Sequence, residues 1–145
     1  MAYYRGLLGE GYLQERIVVA GESAGGGLTL SLMLALSDAG VSLPAVAALF
    51  SPWTDLAATG DSIRTNSDRC AMFEGAGVAA STRLAERARA AGVSVELKIW
   101  PVVPHAWQLA PHLIPEARRS LNQSTAFFRA HVAPADSKRE AEARA

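Results

Sequence analysis

A Gly-x-Ser-x-Gly pattern near the start of the chain carries the clearest chemical signal in the sequence. It reads Gly21-Glu22-Ser23-Ala24-Gly25 and lies between a short β-branched run and a helical pattern. Between a strand and a helix, this pattern predicts a sharp, strained turn that exposes the serine hydroxyl at a helix N-terminus. We expect Gly21 and Gly25 to leave room where side chains would collide. The predicted chemistry is nucleophilic attack by Ser23, with the Ala24 N–H as a donor to an oxyanion. The alternative interpretation is a glycine-rich turn that binds phosphate or nothing.

A serine nucleophile needs a base, and His105 is the best placed of the three histidines. It lies in Trp100-Pro101-Val102-Val103-Pro104-His105, directly after a predicted strand. His112 and His131 are expected at a helix start and near the C-terminal tail. The order of serine before histidine is the chain order of one class of serine enzymes. On its own, His105 would be interpreted as a hydrogen-bonded loop residue, and the serine motif upstream favours the base.

Periodicity predicts the elements that hold these residues. Strands are expected over 16–21, 45–50 and 93–99, where the last alternates apolar and polar residues. Helices are expected at the N-terminus, over 24–39, over 81–91 with Ser81 as N-cap, and from Pro115 onward. Strands alternating with helices imply parallel βα units, whose ligand chemistry lies at the carboxyl ends of the strands. The loops after residues 20, 50 and 99 are therefore the predicted rim of a site.

Composition excludes several classes of function. The 145 residues carry 14 basic and 14 acidic side chains, so the basic excess of a nucleic-acid or anionic-membrane binder is absent. One cysteine excludes a disulfide framework within the monomer, and no apolar run approaches the length of a membrane span. We expect no signal peptide and a soluble, cytoplasmic protein. Residues 1–132 are predicted to form one domain, and 133–145 a charged, disordered tail.

The chain resembles the hormone-sensitive-lipase group of α/β-hydrolases. The resemblance rests on residues 21–27, on Ser51-Pro52-Trp53-Thr54-Asp55-Leu56, on residues 81–86, and on Trp100-Pro101 with Pro104-His105. It implies a partial α/β-hydrolase fold, with a short, mostly parallel sheet of about three strands and flanking helices. It also implies hydrolysis of small-molecule carboxylic esters, with no metal and no cofactor.

Two features depart from the family pattern. The upstream His-Gly-Gly-Gly motif, which supplies further oxyanion amides in the family, is absent from this sequence. No apolar run of strand length precedes residue 81, where the family has another strand and then the acid of the triad. The chain is thus expected to be truncated and internally deleted. Glu74 is the carboxylate nearest in sequence to the position of the missing acid, and it is the predicted third member of the triad. The alternative interpretation, that Glu74 is a solvated loop residue, carries at least equal weight.

Two functions compete at this point. One is a carboxylester hydrolase that uses Ser23, His105 and Glu74, and an amidase or peptidase would use the same serine. The other is a non-catalytic or weakly active remnant of an α/β-hydrolase. A short parallel sheet has two unprotected edges, which predict association with another chain.

Overall fold

The computed structural model describes residues 1–54, 78–101 and 103–134. The described part contains two strands, β1 (Val18–Glu22) and β2 (Val46–Phe50). Its helices are α1 (Ala2–Gly9), α2 (Ala24–Asp38), α3 (Val78–Ala90) and α4 (Pro115–His131), with short 3-10 turns at Gln14–Arg16 and Trp107–Leu109.

The two strands and the helix between them form one parallel βαβ unit. β1 pairs with β2 in parallel, from Val18 opposite Val46 to Glu22 opposite Phe50. α2 connects the two strands and contacts both of them. Because the strands are parallel and in register, their carboxyl ends meet at one edge. The predicted α/β class is confirmed, and the residues after β1 and β2 lie on the same rim.

The predicted third strand over 93–99 is wrong, because this segment pairs with no strand among the described residues. The alternation of buried and exposed side chains is present in part, since Val95 and Leu97 are half-buried while Glu96 and Lys98 are exposed. A strand needs a neighbour for its backbone hydrogen bonds. The sequence has no strand-length apolar run between β2 and α3 to supply that neighbour. The sheet described here therefore has two strands rather than three.

The expected N-cap of α3 needs correction. Ser81 does not cap a helix, because α3 already begins at Val78. Leu28, Leu32 and Leu36 recur every four residues in α2, but they do not share one buried face: Leu36 is fully buried, whereas Leu28 is 70% exposed. A repeat of four residues drifts around a helix of 3.6 residues per turn, so Leu28 and Leu36 point in different directions. Gly26 and Thr29 are buried instead.

The core is small and is built around α2. Besides Leu36, its buried apolar side chains are Tyr4, Val46, Ala85, Trp107 and Ala117. Tyr4 also donates its hydroxyl to the carbonyl of Ser42 at 2.9 Å, which attaches α1 to the loop before β2. α4 begins at Pro115 as predicted, and its first turn buries Ala117.

The C-terminal end of the described chain is held on the body of the fold. The Ala133 N–H donates to the carbonyl of Glu15 at 2.9 Å. Most of the predicted tail, residues 135–145, lies outside the described residues. Among the helices that are described, none is long and apolar enough to span a bilayer.

Candidate active site

The turn between β1 and α2 holds Ser23 in a strained backbone conformation. Its φ is 56° and its ψ is −119°, values that residues with a Cβ rarely adopt. The surrounding backbone fixes this geometry. The Ser23 N–H donates to the carbonyl of Phe50 at 2.9 Å, and the Ser23 carbonyl accepts from Gly26 at 3.0 Å and from Trp53 at 3.0 Å. The chain after β2 therefore holds the turn on both sides.

The hydroxyl of Ser23 does not cap α2, although Ser23 occupies the N-cap position. A serine at this position ordinarily accepts a hydrogen bond from the first turn, which stabilises a helix by about 1 kcal/mol. Here Ser23 Oγ lies 2.8 Å from His105 Nε2 instead. The Ser23 side chain therefore contacts a residue 82 positions away in sequence and makes no capping hydrogen bond to its own helix.

Close backbone approach explains the first glycine of the motif but not the last. A Cβ on Gly21 would overlap the carbonyl group of Gly25 and lie 2.6 Å from Thr29 Oγ1. A Cβ on Gly25 would meet nothing within 4 Å. The expectation that both glycines prevent collisions is thus correct for Gly21 and wrong for Gly25. Gly26 does need to be small, because its Cβ would lie 2.7 Å from Pro52 Cβ.

The loop that carries His105 is held by the residues that follow it. Ala106 adopts a left-handed conformation with φ 58°, and Trp107 is 5% exposed in the core. The Trp107 ring also packs against Trp100, with 5.2 Å between the ring centroids. Gln108 accepts a hydrogen bond of 3.3 Å from the hydroxyl of Ser51, just beyond β2. These contacts bring His105 to the rim that carries Ser23.

Glu22 is a second side chain at the imidazole. Its Oε1 lies 3.5 Å from His105 Nε2, the same nitrogen that contacts Ser23. This oxygen is buried and accepts no hydrogen bond in the described structure. The side chains of His105 and Glu22 are 18% and 29% exposed, so the pair is largely shielded from water.

The remaining predicted site residues differ in what the structure describes. Ala24 is the first residue of α2, and its N–H makes no backbone hydrogen bond within residues 1–54, 78–101 and 103–134. It therefore remains a candidate oxyanion donor. Glu74 lies outside the described residues. Of the predicted set, the structure brings Ser23, Ala24 and His105 together.

A second serine–histidine contact provides a useful contrast. Ser94 Oγ lies 3.3 Å from His131 Nε2, and His131 Nδ1 lies 2.9 Å from the carbonyl of Phe127. Both side chains are exposed, and neither follows a strand of the sheet. They line an open groove of about 510 Å³ between residues 94–98 and α4, to which neither Ser23 nor His105 contributes. Only the Ser23–His105 pair combines a strained turn, a helix N-terminus and partial burial.

Sequence comparison agrees with this geometry. A family model of the α/β-hydrolase fold matches residues 5–81, slightly more than half of the chain. The chain belongs to the α/β-hydrolase fold family. Among solved structures, this chain is similar to an esterase of the bacterial hormone-sensitive lipase family, with a TM-score of 0.81 and 29% identity. That match covers 91% of this chain and 59% of the other. The predicted resemblance to the hormone-sensitive-lipase group is confirmed.

Curated relatives of this α/β-hydrolase point to the same group. An acetyl-hydrolase of Streptomyces hygroscopicus is 32% identical over 89% of this chain and 57% of its own length. The esterase LipU of Mycobacterium tuberculosis is 29% identical over 87% of this chain and 58% of its own length. The chain thus spans a little more than half the length of these relatives.

The alignment with the acetyl-hydrolase also contains many positions that this chain does not fill. The alignment is 174 positions long, whereas the 89% of this chain that it covers is only about 129 of the 145 residues. At roughly 45 aligned positions the relative therefore has a residue and this chain has none. This agrees with the expected internal deletion.

Sequence reasoning missed Glu22 as a neighbour of the His105 imidazole. The partner predicted for His105 is Glu74, which follows Ser23 in the chain, whereas Glu22 precedes it. A signal was available, because Glu22 is the last residue of a parallel strand and must lie on the same rim as Ser23. Its place at the end of a strand does not say that the Glu22 side chain points towards His105.

Proposed function

We propose that this chain is a serine hydrolase of carboxylic esters, with Ser23 as nucleophile and His105 as base. The single observation that carries the proposal is the 2.8 Å contact between Ser23 Oγ and His105 Nε2 at a strained strand-to-helix turn. This distance lies within the working reach of a nucleophile and its base, about 2.6–3.2 Å. The esterase and acetyl-hydrolase relatives support the choice of esters as the substrate class.

The proposed reaction uses two successive acyl transfers. Ser23 Oγ attacks the ester carbonyl carbon while its proton moves to His105 Nε2. The carbonyl oxygen becomes an oxyanion, for which the Ala24 N–H and the positive end of α2 are the available stabilising groups. His105 then gives the proton to the leaving alcohol, and an acyl-serine remains. Water, activated by the same imidazole, releases the acid and restores Ser23.

This mechanism requires a specific tautomer of His105. Nε2 must be without a proton before the reaction, so that it accepts the Ser23 hydroxyl, and the proton of the neutral ring must therefore be on Nδ1. In serine hydrolases a carboxylate usually holds that Nδ1 proton. Glu74 remains the predicted residue for this role.

Hydrolysis of p-nitrophenyl acetate by matched serine variants tests the proposal. Ser23→Ala is expected to reduce the rate to the uncatalysed background, because loss of the nucleophile in such enzymes costs up to about 10⁶ in kcat. Ser94→Ala is the control, since Ser94 also contacts a histidine but lies on an exposed groove. His105→Ala and His131→Ala form the equivalent pair for the base. Equal rates for wild type and Ser23→Ala would remove the proposal.

The alternative of a weakly active or non-catalytic remnant rests on the roughly 45 aligned positions that only the acetyl-hydrolase fills. A fluorophosphonate probe separates the two, because it reacts with an activated serine and does not require turnover. We expect stoichiometric labelling of the wild type at Ser23, detected by intact mass and peptide mapping. A folded protein that does not label would favour the remnant.

A further inference from the structure

The carboxylate of Glu22 occupies an unusual position. Its Oε1 is buried and accepts no hydrogen bond among the described residues, yet it lies 3.5 Å from His105 Nε2. Removing a carboxylate oxygen from water is costly unless a donor replaces the lost hydration. A buried polar atom without a partner therefore calls for a physical reason. The nearby imidazole nitrogen supplies one.

The missing donor appears during the proposed reaction. Before attack, Nε2 accepts the Ser23 hydroxyl and has no proton to offer Glu22. After the proton moves, Nε2 carries both a hydrogen and positive charge, and the carboxylate 3.5 Å away is close enough to be attracted to it. An interaction that is stronger in the transition state than in the resting state accelerates the reaction.

We infer that Glu22 is a positioning residue whose carboxylate stabilises the His105 imidazolium from the Nε2 side. The inference rests on the proposed roles of Ser23 and His105. In the attack step the Oγ–H bond breaks, and the Oγ–carbon and Nε2–H bonds form. Glu22 gains no proton and keeps its negative charge. Its action is distinct from that predicted for Glu74, which would hold the other ring nitrogen.

Three glutamate variants test this role. Glu22→Gln preserves the shape and removes the charge, whereas Glu22→Asp preserves the charge on a side chain one methylene shorter. Glu96→Gln is the control, since Glu96 is an exposed carboxylate paired with Lys98 at 2.8 Å. The readouts are kcat and KM for p-nitrophenyl acetate, and the rate of fluorophosphonate labelling.

We expect Glu22→Gln to lower kcat and the labelling rate by about 10- to 100-fold, the range for loss of one interaction with a charged group. KM should stay within about two-fold, because an interaction made only in the transition state affects kcat. Glu22→Asp should restore most of the rate, and Glu96→Gln should match the wild type. That pattern depends on charge, so a structural role for the side chain would not produce it.

The outcomes separate this inference from the proposed function. If Glu22→Gln matches or exceeds the wild-type kcat while Ser23→Ala is inactive, the role of Glu22 is refuted and the hydrolase proposal stands. If Glu22→Gln and Glu22→Asp lose activity equally and unfold at the same lowered temperature, Glu22 is structural and the inference is again refuted. If Ser23→Ala is as active as the wild type, the proposed function fails, and the inference fails with it.

Discussion

Replacing Ser23 by glycine is expected to leave the chain more stable than replacing it by alanine. Both changes remove the hydroxyl and its contact with His105, so they differ only in the Cβ. At φ 56° and ψ −119° that Cβ is strained, whereas glycine tolerates a positive φ. The same backbone must form in either variant, because Phe50, Gly26 and Trp53 hold it through hydrogen bonds.

The size of the difference follows from two opposing terms. Relief of strain at such a position is worth about 1–3 kcal/mol. Glycine loses about 0.4–1 kcal/mol more backbone entropy on folding than alanine does. The net gain for Ser23→Gly over Ser23→Ala therefore lies between about 0 and 2.6 kcal/mol, and the middle of each range gives about 1.3 kcal/mol. For a chain of this size it corresponds to a rise in Tm of roughly 2–6 °C.

Thermal unfolding followed by circular dichroism measures this difference, and Ser94 provides the control. Ser94 is not among the described residues with positive φ, so the entropy term acts there alone. Ser94→Gly should therefore be less stable than Ser94→Ala by about 0.4–1 kcal/mol, the reverse of the order at Ser23. If Ser23→Gly is less stable than Ser23→Ala by the same margin that separates the two Ser94 variants, the turn stores no strain and the reasoning is wrong.

Three further predictions concern the framework around the site. Gly21→Ala should destabilise the fold by about 1–3 kcal/mol in denaturant unfolding, because its Cβ would overlap the Gly25 carbonyl group, while Gly25→Ala should be more stable than the wild type by about 0.4–1 kcal/mol, because its Cβ meets nothing and alanine loses less backbone entropy. Burial raises the pKa of the Tyr4 hydroxyl above 10.0, so its stabilising contribution is complete below pH 10.0 and is lost as the pH rises through the folded-state value. The free energy of unfolding should therefore fall more steeply in the wild type than in Tyr4→Phe as the pH rises from 10.0 to the folded-state pKa, and parallel curves would contradict this cause. Each strand of the described sheet is paired on one side only, so light scattering should detect a mass that rises with concentration, and a constant monomer mass would refute edge association.

The turn that holds Ser23 shows why local sequence was informative about the first half of the site. A β-branched run, a glycine-flanked serine and a helical pattern follow one another within residues 16–39. Each of these signals depends on consecutive residues and on backbone sterics. The structure accordingly has β1, the strained Ser23 and α2 where the sequence predicts them. The same holds for β2 and for the Pro115 start of α4.

The segment over 93–99 shows where local sequence was insufficient. Its alternation of apolar and polar residues is a property of the segment, and it predicts a strand. Pairing is a property of two segments, and no described strand lies beside this one. In the same way, the leucine repeat predicts α2 as a helix but does not specify which side faces the sheet. Packing against β1 and β2 selected the Gly26 and Thr29 side, because small residues allow close approach.

The sequence by itself determined the chemistry available at the rim: a serine at a strand-to-helix turn, the helix N-terminus behind it, and a histidine in a proline-restricted loop. Only the tertiary structure decided that His105 Nε2 meets Ser23 Oγ at 2.8 Å and that Glu22 lies against the same nitrogen. The physical reason is the range of the interactions. Turn and helix preferences act between neighbours, whereas the position of His105 depends on the burial of Trp107 and on the Ser51–Gln108 hydrogen bond, which connect distant parts of the chain.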